Sequence, residues 1–219
     1  MEAKAIFPGV FLIDKRLATI NLAKGRKVYG EELINIGKTE YRLWNPYRSK
    51  LAAAILNGMK EMHIKDGSNV LYIGAATGTT PSHVSDIVGS DGSVYALELS
   101  ERNMRNLIAV CETRKNMLPI LADAMHTESY EDMVGECDIL YQDASAREQA
   151  ALLLKNSKFL KKGGYAYFII KSQSIDISKK PKEVYEEELK ILEGHFKIVE
   201  RLSLEPYDSM HLFVVLKKL

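Results

Sequence analysis

Three acids follow a glycine-bearing loop at the ends of successive apolar runs, and that spacing is the first sign of chemistry in this 219-residue chain. The loop is Gly74-Ala75-Ala76-Thr77-Gly78-Thr79-Thr80. Its glycines allow close backbone approach, and the helix expected after it offers unpaired N–H groups. It lacks the Gly-Lys-Ser/Thr ending of a P-loop, and its glycines at 74 and 78 do not make GxGxxG, so it serves a pyrophosphate poorly. Glu98 ends the next run, 24 residues after Gly74, where an acid can accept hydrogen bonds from both hydroxyls of a ribose. Asp123 follows the third run, in place to accept from an exocyclic adenine amine, and Asp143 follows the fourth. Singly, each acid reads as a helix cap or a solvated loop residue. In register with the loop, the three together describe a nucleoside pocket without a phosphate cradle.

Such a pocket needs a parallel sheet to hold it. Strand signals at 70–73, 94–97, 118–121, 139–142 and 165–170 alternate with helix signals at 81–88, about 100–115, 147–159 and 184–192. Thr80 is the expected N-cap of the first of these helices with Pro81 at its first position, and Ser100 is the expected cap of the second. Two last strands, 197–202 and 211–216, are joined by a hairpin-sized connection. The expected class is therefore α/β: a Rossmann-like, doubly wound, mostly parallel seven-stranded sheet with an antiparallel edge pair, whose ligands sit beyond the strand carboxyl ends. The first 45 residues differ. Short β-prone segments at 9–12, 18–22 and 27–29 predict a small N-terminal antiparallel β domain (1–45) ahead of the main domain (46–219). A helix over 48–62 would bury Leu51, Ile55, Met59 and Met62 on one face. A nucleoside pocket in this setting suits S-adenosylmethionine.

Composition narrows the class further. Hydrophobic residues make up 46% and charged residues 27%, which excludes a disordered tail, a collagen-like fibre and a coiled coil. No apolar run is long enough to cross a bilayer, and the amino terminus does not read as a secretory signal, so a cytoplasmic protein without membrane contact is expected. Cys111 and Cys137 form no CxxC pair, and the five histidines have no ligand spacing, so no metal is expected. The net charge is +1, but residues 1–50 carry +5 and the rest −4. A basic first quarter suggests a surface facing a polyanion, with Arg42, Arg48, Lys50 and Arg147 as its phosphate-facing rim. The eleven tyrosines do not form an RNA-recognition aromatic motif, so targeting would depend on partners.

The residues also resemble a known family. Leu71-Tyr72-Ile73-Gly74-Ala75-Ala76-Thr77-Gly78-Thr79-Thr80 and the following Ser82-His83-Val84-Ser85-Asp86-Ile87-Val88-Gly89 are similar to the cofactor motif of the fibrillarins. The resemblance continues in 44–53, in Pro119-Ile120 with Asp123-Ala124, and in Ile170-Lys171 with Ser174-Ile175-Asp176, so it spans nearly the whole chain. It implies a class I methyltransferase fold, S-adenosylmethionine as methyl donor and a ribose 2′-hydroxyl in rRNA or tRNA as acceptor. It also implies partners: a box C/D guide RNA, a Nop-type scaffold protein and a kink-turn-binding ribosomal-type protein. Carried over by position, cofactor contacts fall on Gly74, Ala75, Gly78, Thr79, Thr80, Glu98, Leu99, Asp123, Ala124, Asp143, Ala144, Ser145 and Ala146. The family's Lys-Asp-Lys-His tetrad falls on Lys50, Asp143, Lys171 and His211. Three places depart from the pattern. Asp143-Ala144-Ser145-Ala146-Arg147 stands for Asp-Val-Ala-Gln-Pro, Ser172-Gln173 for Ala-Arg, and Met210 for the acid common before the histidine.

A ribose hydroxyl attacks a methyl sulfonium well only when it is aligned and its proton is removed or its oxyanion stabilised. Lys171 is the expected agent, with Asp143 orienting it or holding the cofactor's amino group and His211 orienting its neighbours. Without the resemblance, Lys171 would read as a strand-end lysine reaching solvent. Alternatives are a methyltransferase acting on a protein side chain, one acting on a catechol-like molecule, and a non-catalytic subunit of an RNA–protein particle. A nicotinamide dehydrogenase is disfavoured by the glycine spacing.

Overall fold

The computed structural model describes residues 2–219. Its amino-terminal part is a five-stranded antiparallel sheet of β1 (Lys4–Phe7), β2 (Val10–Ile13), β3 (Arg16–Ile20), β4 (Leu33–Ile36) and β5 (Thr39–Leu43), in the order β1-β2-β3-β5-β4. The segment 27–29, expected as a strand, is not one. The Val28 and Tyr29 N–H groups donate to the Glu31 carboxylate instead of to a ladder. The hairpin of β4 and β5, paired from Ile36↔Thr39 to Leu33↔Arg42, takes the place next to β3.

Helix α1 (Lys50–Leu56) is capped by Ser49, whose Oγ accepts from the Ala52 N–H. It stops well short of 62 because Asn57 leaves helical geometry and Gly58 turns at φ +95°. Met59 and Met62 are nonetheless buried in the core. The main unit then runs β6 (Asn69–Ile73), α2 (Thr79–Val88), β7 (Ser93–Glu98), α3 (Glu101–Glu112), β8 (Met117–Leu121), β9 (Cys137–Gln142), α4 (Gln149–Asn156), β10 (Leu160–Lys171), α5 (Ser172–Ile175), α6 (Pro181–Ile191), β11 (Phe196–Ser203) and β12 (His211–Lys218). Ser100 caps α3 as expected. Helix α2 begins at Thr79, with Gly78 at its cap in the left-handed region, and Thr80 does not cap it. The Thr80 hydroxyl donates to Ser49 Oγ at 3.0 Å, tying α2 to the start of α1.

The seven-stranded sheet has the order β11-β12-β10-β9-β6-β7-β8. Strands β6 to β10 pair in parallel, and β12 runs antiparallel between β10 and β11. Alternate residues of each strand face opposite sides. Val70, Tyr72, Tyr141, Tyr167 and Phe213 join a core with α1, α2 and α3 on one side, while Leu71, Ile73, Leu140, Phe168 and Val214 join a second core with α4 and α6 on the other. The chain leaves β6 for β7 and β8 on one side and returns to β9 and β10 on the other, so the crevice for a ligand opens between the carboxyl ends of β6 and β9.

A buried polar network joins the amino-terminal sheet to α2. Arg42, fully buried on β5, pairs with Glu31 at 2.6 Å and with Asp86 of α2 at 2.8 Å, and Arg114 approaches the other Asp86 oxygen to 2.5 Å. Two arginines against two acids leave the cluster neutral. Thr19 donates to Asp86 and receives His83 Nδ1–H at 2.8 Å, while Tyr29 OH lies 2.8 Å from His83 Nε2. His83 is fully buried and stacked on Trp44, and burial, then Arg42 and Arg114, hold its ring well below the ordinary pKa range. Arg42 therefore belongs to an internal joint and not to a phosphate-facing rim. Arg48 and Arg147 are exposed.

Candidate active site

Ile73 and Gln142 are partners across β6 and β9, so the residues that follow them, Gly74 and Asp143, leave the sheet side by side. The Asp143 N–H donates to the Ile73 carbonyl at 2.9 Å. A Cβ on Gly74 would lie 2.6 Å from the Asp143 carbonyl oxygen, and the residue turns at φ +82°. Only glycine fits there, for both reasons. The loop then turns sharply: the Gly74 and Ala75 N–H groups both reach the Leu97 carbonyl, and Ala76, at φ +48°, sends its N–H to Glu98 at 2.7 Å.

A cavity of about 400 Å³ opens at this point. Gly74, Glu98, Leu99, Asp123, Ala124, Asp143, Ala144, Ser145 and Ala146 line it, together with Ala76, Ser100, Asn103, Ala122 and Met125. Glu98 is nearly buried and held from three sides, by Ala76 N–H, Ser100 N–H at 2.8 Å and Asn103 Nδ2 at 3.3 Å. Asp123 receives Met125 N–H on Oδ1, and among the described residues nothing bonds its Oδ2. The two acids are thus fixed in place with acceptor capacity left toward the cavity. Four residues expected here stand outside it: Ala75 is buried in the core, Gly78 packs against Leu107 and Val110 of α3, Thr79 begins α2, and Thr80 faces a neighbouring cavity.

Asp143 belongs to both cavities. The second is smaller, about 220 Å³, and is lined by Pro46, Tyr47, Arg48, Ser49, Lys50, Thr80, Asp143 and Asp208. Lys50 Nζ lies 3.2 Å from each Asp143 oxygen. Lys171 Nζ lies 2.8 Å from Asp143 Oδ1, while its hydrogen bonds point to the Asp143 carbonyl at 2.8 Å and to Ser145 Oγ at 3.3 Å. That orientation leaves Oδ1 paired by charge but without a directed hydrogen bond, in a buried position.

His211 begins β12 directly opposite Lys171 at the end of β10. It does not touch Asp143. Its Nδ1 meets Asp208 Oδ1 at 2.5 Å, and the other Asp208 oxygen lies 3.6 Å from Lys50. Burial lowers the His211 pKa against the opposing pull of Asp208, and Lys50 and Lys171 act in the same sense as burial. The structure thus brings Lys50, Asp143 and Lys171 into contact and attaches His211 through Asp208.

Two residues outside the expected site set hold it in place. Gln149, fully buried, accepts the Lys171 N–H at 2.9 Å and donates to the Ala146 and Lys171 carbonyls, clamping the 143–148 loop to the end of β10. Ser172 donates its hydroxyl to the Met210 carbonyl at 2.9 Å, and Met210 turns at φ +64° just before His211. Two departures from the family pattern therefore meet, in the turn that aims the histidine. Among the described residues no group of three or more His, Cys, Asp or Glu could hold a metal ion, and no helix is long and apolar enough to cross a membrane.

The sequence profile of the family described as Fibrillarin matches residues 1–218. A fibrillarin-like rRNA/tRNA 2′-O-methyltransferase of Thermococcus onnurineus is 50% identical over 97% of this chain and 96% of its own length. Aeropyrum pernix fibrillarin, solved with natively bound S-adenosyl-L-methionine, superposes with a TM-score of 0.88 at 41% identity, over 99% of each chain. The chain solved in a fibrillarin/Nop5p complex superposes with a TM-score of 0.91 at 38% identity, over 99% of this chain and 100% of that one.

Proposed function

This chain belongs to the fibrillarin family, and from that premise we propose that it methylates ribose 2′-hydroxyls of rRNA and tRNA with S-adenosylmethionine, at sites chosen by a box C/D guide RNA. A Nop-type scaffold protein and a kink-turn-binding protein complete its particle, the first supported by the Nop5p complex of a relative. The observation that carries the catalytic reading is Asp143, placed between a nucleoside-sized cavity with two fixed acids and a small polar cavity, and held by two lysines.

The cradle fits the cofactor. Gly74 leaves room where any side chain would strike Asp143, and Glu98 and Asp123 keep acceptors for a ribose and an amine. The cofactor supplies a methyl group carried on a positively charged sulfur. Asp143 takes the proton that the 2′-hydroxyl releases as the new C–O bond forms and the methyl–sulfur bond breaks, the electron pair staying on sulfur as a neutral thioether. Attack places positive charge on that oxygen, so its proton becomes acidic enough for a carboxylate to accept. Lys50 and Lys171 hold the carboxylate at the boundary of the two cavities. Lys171 is ringed by the Asp143 carbonyl, the Asp143 carboxylate and Ser145 Oγ, an environment for an ammonium and not for a free amine. It therefore positions and neutralises, in place of the proton-accepting role expected from sequence. Neutral His211 holds Asp208 near Lys50.

The test is methyl transfer from labelled S-adenosylmethionine in a reconstituted particle, followed by complete digestion of the RNA to nucleosides. The label should appear as a 2′-O-methyl nucleoside from the guide-paired position and disappear when the guide is omitted. Label on a base, or on protein, would contradict the reading.

A further inference from the structure

On the ribose-methylation reading just given, we propose that Tyr141 and Tyr72 are positioning residues for Asp143. Their hydroxyls hold its Oδ1 from inside the core, so that Oδ2 is the oxygen turned to the acceptor. Asp143 Oδ1 and Tyr141 OH are both buried, and among the described residues neither has a hydrogen-bond partner. One is a charged acceptor and the other a donor, and each left alone carries its full desolvation cost.

The sheet brings the two together. Tyr72, Tyr141 and Tyr167 are register partners across β6, β9 and β10, and all three join the core shared with α1 and α2. Asp143 follows Tyr141 by two residues and still bonds β6 through its N–H, so the two side chains leave the same face of the sheet. The Tyr72 and Tyr141 rings stack 4.2 Å apart and 11° from parallel. Burial raises the Tyr72 pKa well above its ordinary value, and the Asp143 charge adds to this; burial, then Tyr72 and Asp143, do the same to Tyr141. Both phenols keep their protons and remain donors.

Tyr167 and Phe213 supply the contrast. The Tyr167 hydroxyl accepts the His63 N–H at 2.8 Å and faces Met62 Sδ at 3.8 Å, so it is spent on the 62–63 segment. Phe213, packed against the Tyr141 ring, shows that an aromatic ring without a hydroxyl fills this layer. Packing alone therefore gives no reason for a hydroxyl on Tyr141.

The charged groups beside Asp143 are Lys50 from α1 and Lys171 from β10, with Asp208 and then His211 reached through Lys50. Lys171 directs its hydrogen bonds to the Asp143 carbonyl and to Ser145, which leaves Oδ1 free to accept from a phenol. Lys50 donates to Oδ2 at 3.2 Å, at the wall of the small polar cavity. Oδ1 is closed to solvent, so an acceptor hydroxyl can reach only Oδ2. The tyrosine contact is open in this structure, and catalytic hydrogen bonds often tighten only with the reactants in place. Once closed, it fixes the rotation of the carboxylate.

The experiment measures single-turnover methyl transfer against pH in the reconstituted particle. Tyr141→Phe and Tyr72→Phe keep the rings and remove the hydroxyls. Each should lower the rate about three- to ten-fold, with cofactor and RNA affinities within two-fold of the wild type. A hydrogen bond to a carboxylate favours its charged form, so its loss should move the acid limb of the rate profile up by about half a pH unit or more. Tyr167→Phe is the control for a merely structural hydroxyl: it should lower the melting temperature and leave the acid limb in place. In an Asp143→Asn background, Tyr141→Phe should change the residual rate by less than two-fold. A wild-type rate and acid limb in both Phe variants, an equal shift in Tyr167→Phe, or an undiminished loss in the Asp143→Asn background would overturn the proposal and leave the reaction as assigned. No ribose label from the wild-type particle would overturn the functional reading itself.

Discussion

Asp208 Oδ1 lies 2.5 Å from His211 Nδ1, and its second oxygen faces Lys50 Nζ at 3.6 Å, so one carboxylate connects the histidine to the lysine across the site. Asp208 raises the His211 pKa while burial lowers it. Asp208→Asn should therefore move the His211 titration further down, as followed by NMR of the ring. It should also reduce kcat more than it changes KM, because it acts on the positioning of Lys50. A ring that titrates as in the wild type would remove Asp208 from the chain of contacts.

Asp143→Asn keeps the shape of the boundary between the cavities but cannot take a proton. Turnover should fall by roughly 10²–10⁴-fold, the usual worth of a positioned acid–base group. Lys171→Ala should fall comparably, since the carboxylate loses the charge beside it. Calorimetry should find cofactor binding preserved in the lysine variant, and near-normal turnover in either variant would refute the assigned roles.

Gly74→Ala places a methyl group 2.6 Å from the Asp143 carbonyl and forces an alanine to φ +82°. The two loops must separate where the cofactor cavity begins. We expect cofactor affinity to drop by about ten-fold or more, and stability to fall by about 1–2 kcal/mol from backbone strain alone. Gly25, at φ +73° with nothing within 4 Å of its Cβ position, provides the control: Gly25→Ala should show the strain without the loss of binding.

Asp86 is the shared partner of Arg42 and Arg114, with all three side chains inaccessible. Asp86→Ala leaves two buried guanidiniums against Glu31 alone. Chemical denaturation should show a loss of about 3–5 kcal/mol, far more than a surface pair contributes. A change below about 1 kcal/mol would mean that the joint between the amino-terminal sheet and α2 is not held by this network.

Buried His83 gives stability a pH dependence of known sign. Its folded-state pKa lies well below the unfolded value of about 6.5, so the unfolded chain binds the proton more readily. Stability is then full above about pH 6.5 and falls as the pH drops below it, by at most about 1.4 kcal/mol per pH unit for one group. His63 and His211, also lowered, act in the same sense. His83→Gln should be less stable at neutral pH and lose less on acidification from pH 6.5 to 5. A slope identical to the wild type's would assign the acid sensitivity elsewhere.

The parallel sheet was legible because β6, β7, β9 and β10 are apolar runs bounded by turn residues, a local signal. The strand-end acids followed from that register, and one cavity collects Glu98, Asp123 and Asp143. What the sequence hid depends on side-chain pairings that a local pattern does not record, some distant in the chain and some only two or three residues apart. Arg42 reads as a surface charge until Asp86 is seen beside it. Asp208 reads as a loop acid until the turn at Met210 brings it to His211 and Lys50. The segment 27–29 has strand-forming residues, but Glu31 captures its N–H groups, a choice that propensity alone does not record.

The central claim is that the methyl acceptor is a ribose 2′-hydroxyl at a guided position. The most direct test gives the reconstituted particle two target RNAs, identical except for a 2′-deoxy substitution at that one nucleotide. Label in the first and none in the second is the result expected here. Equal label in both would place the chemistry elsewhere on the RNA and contradict the account.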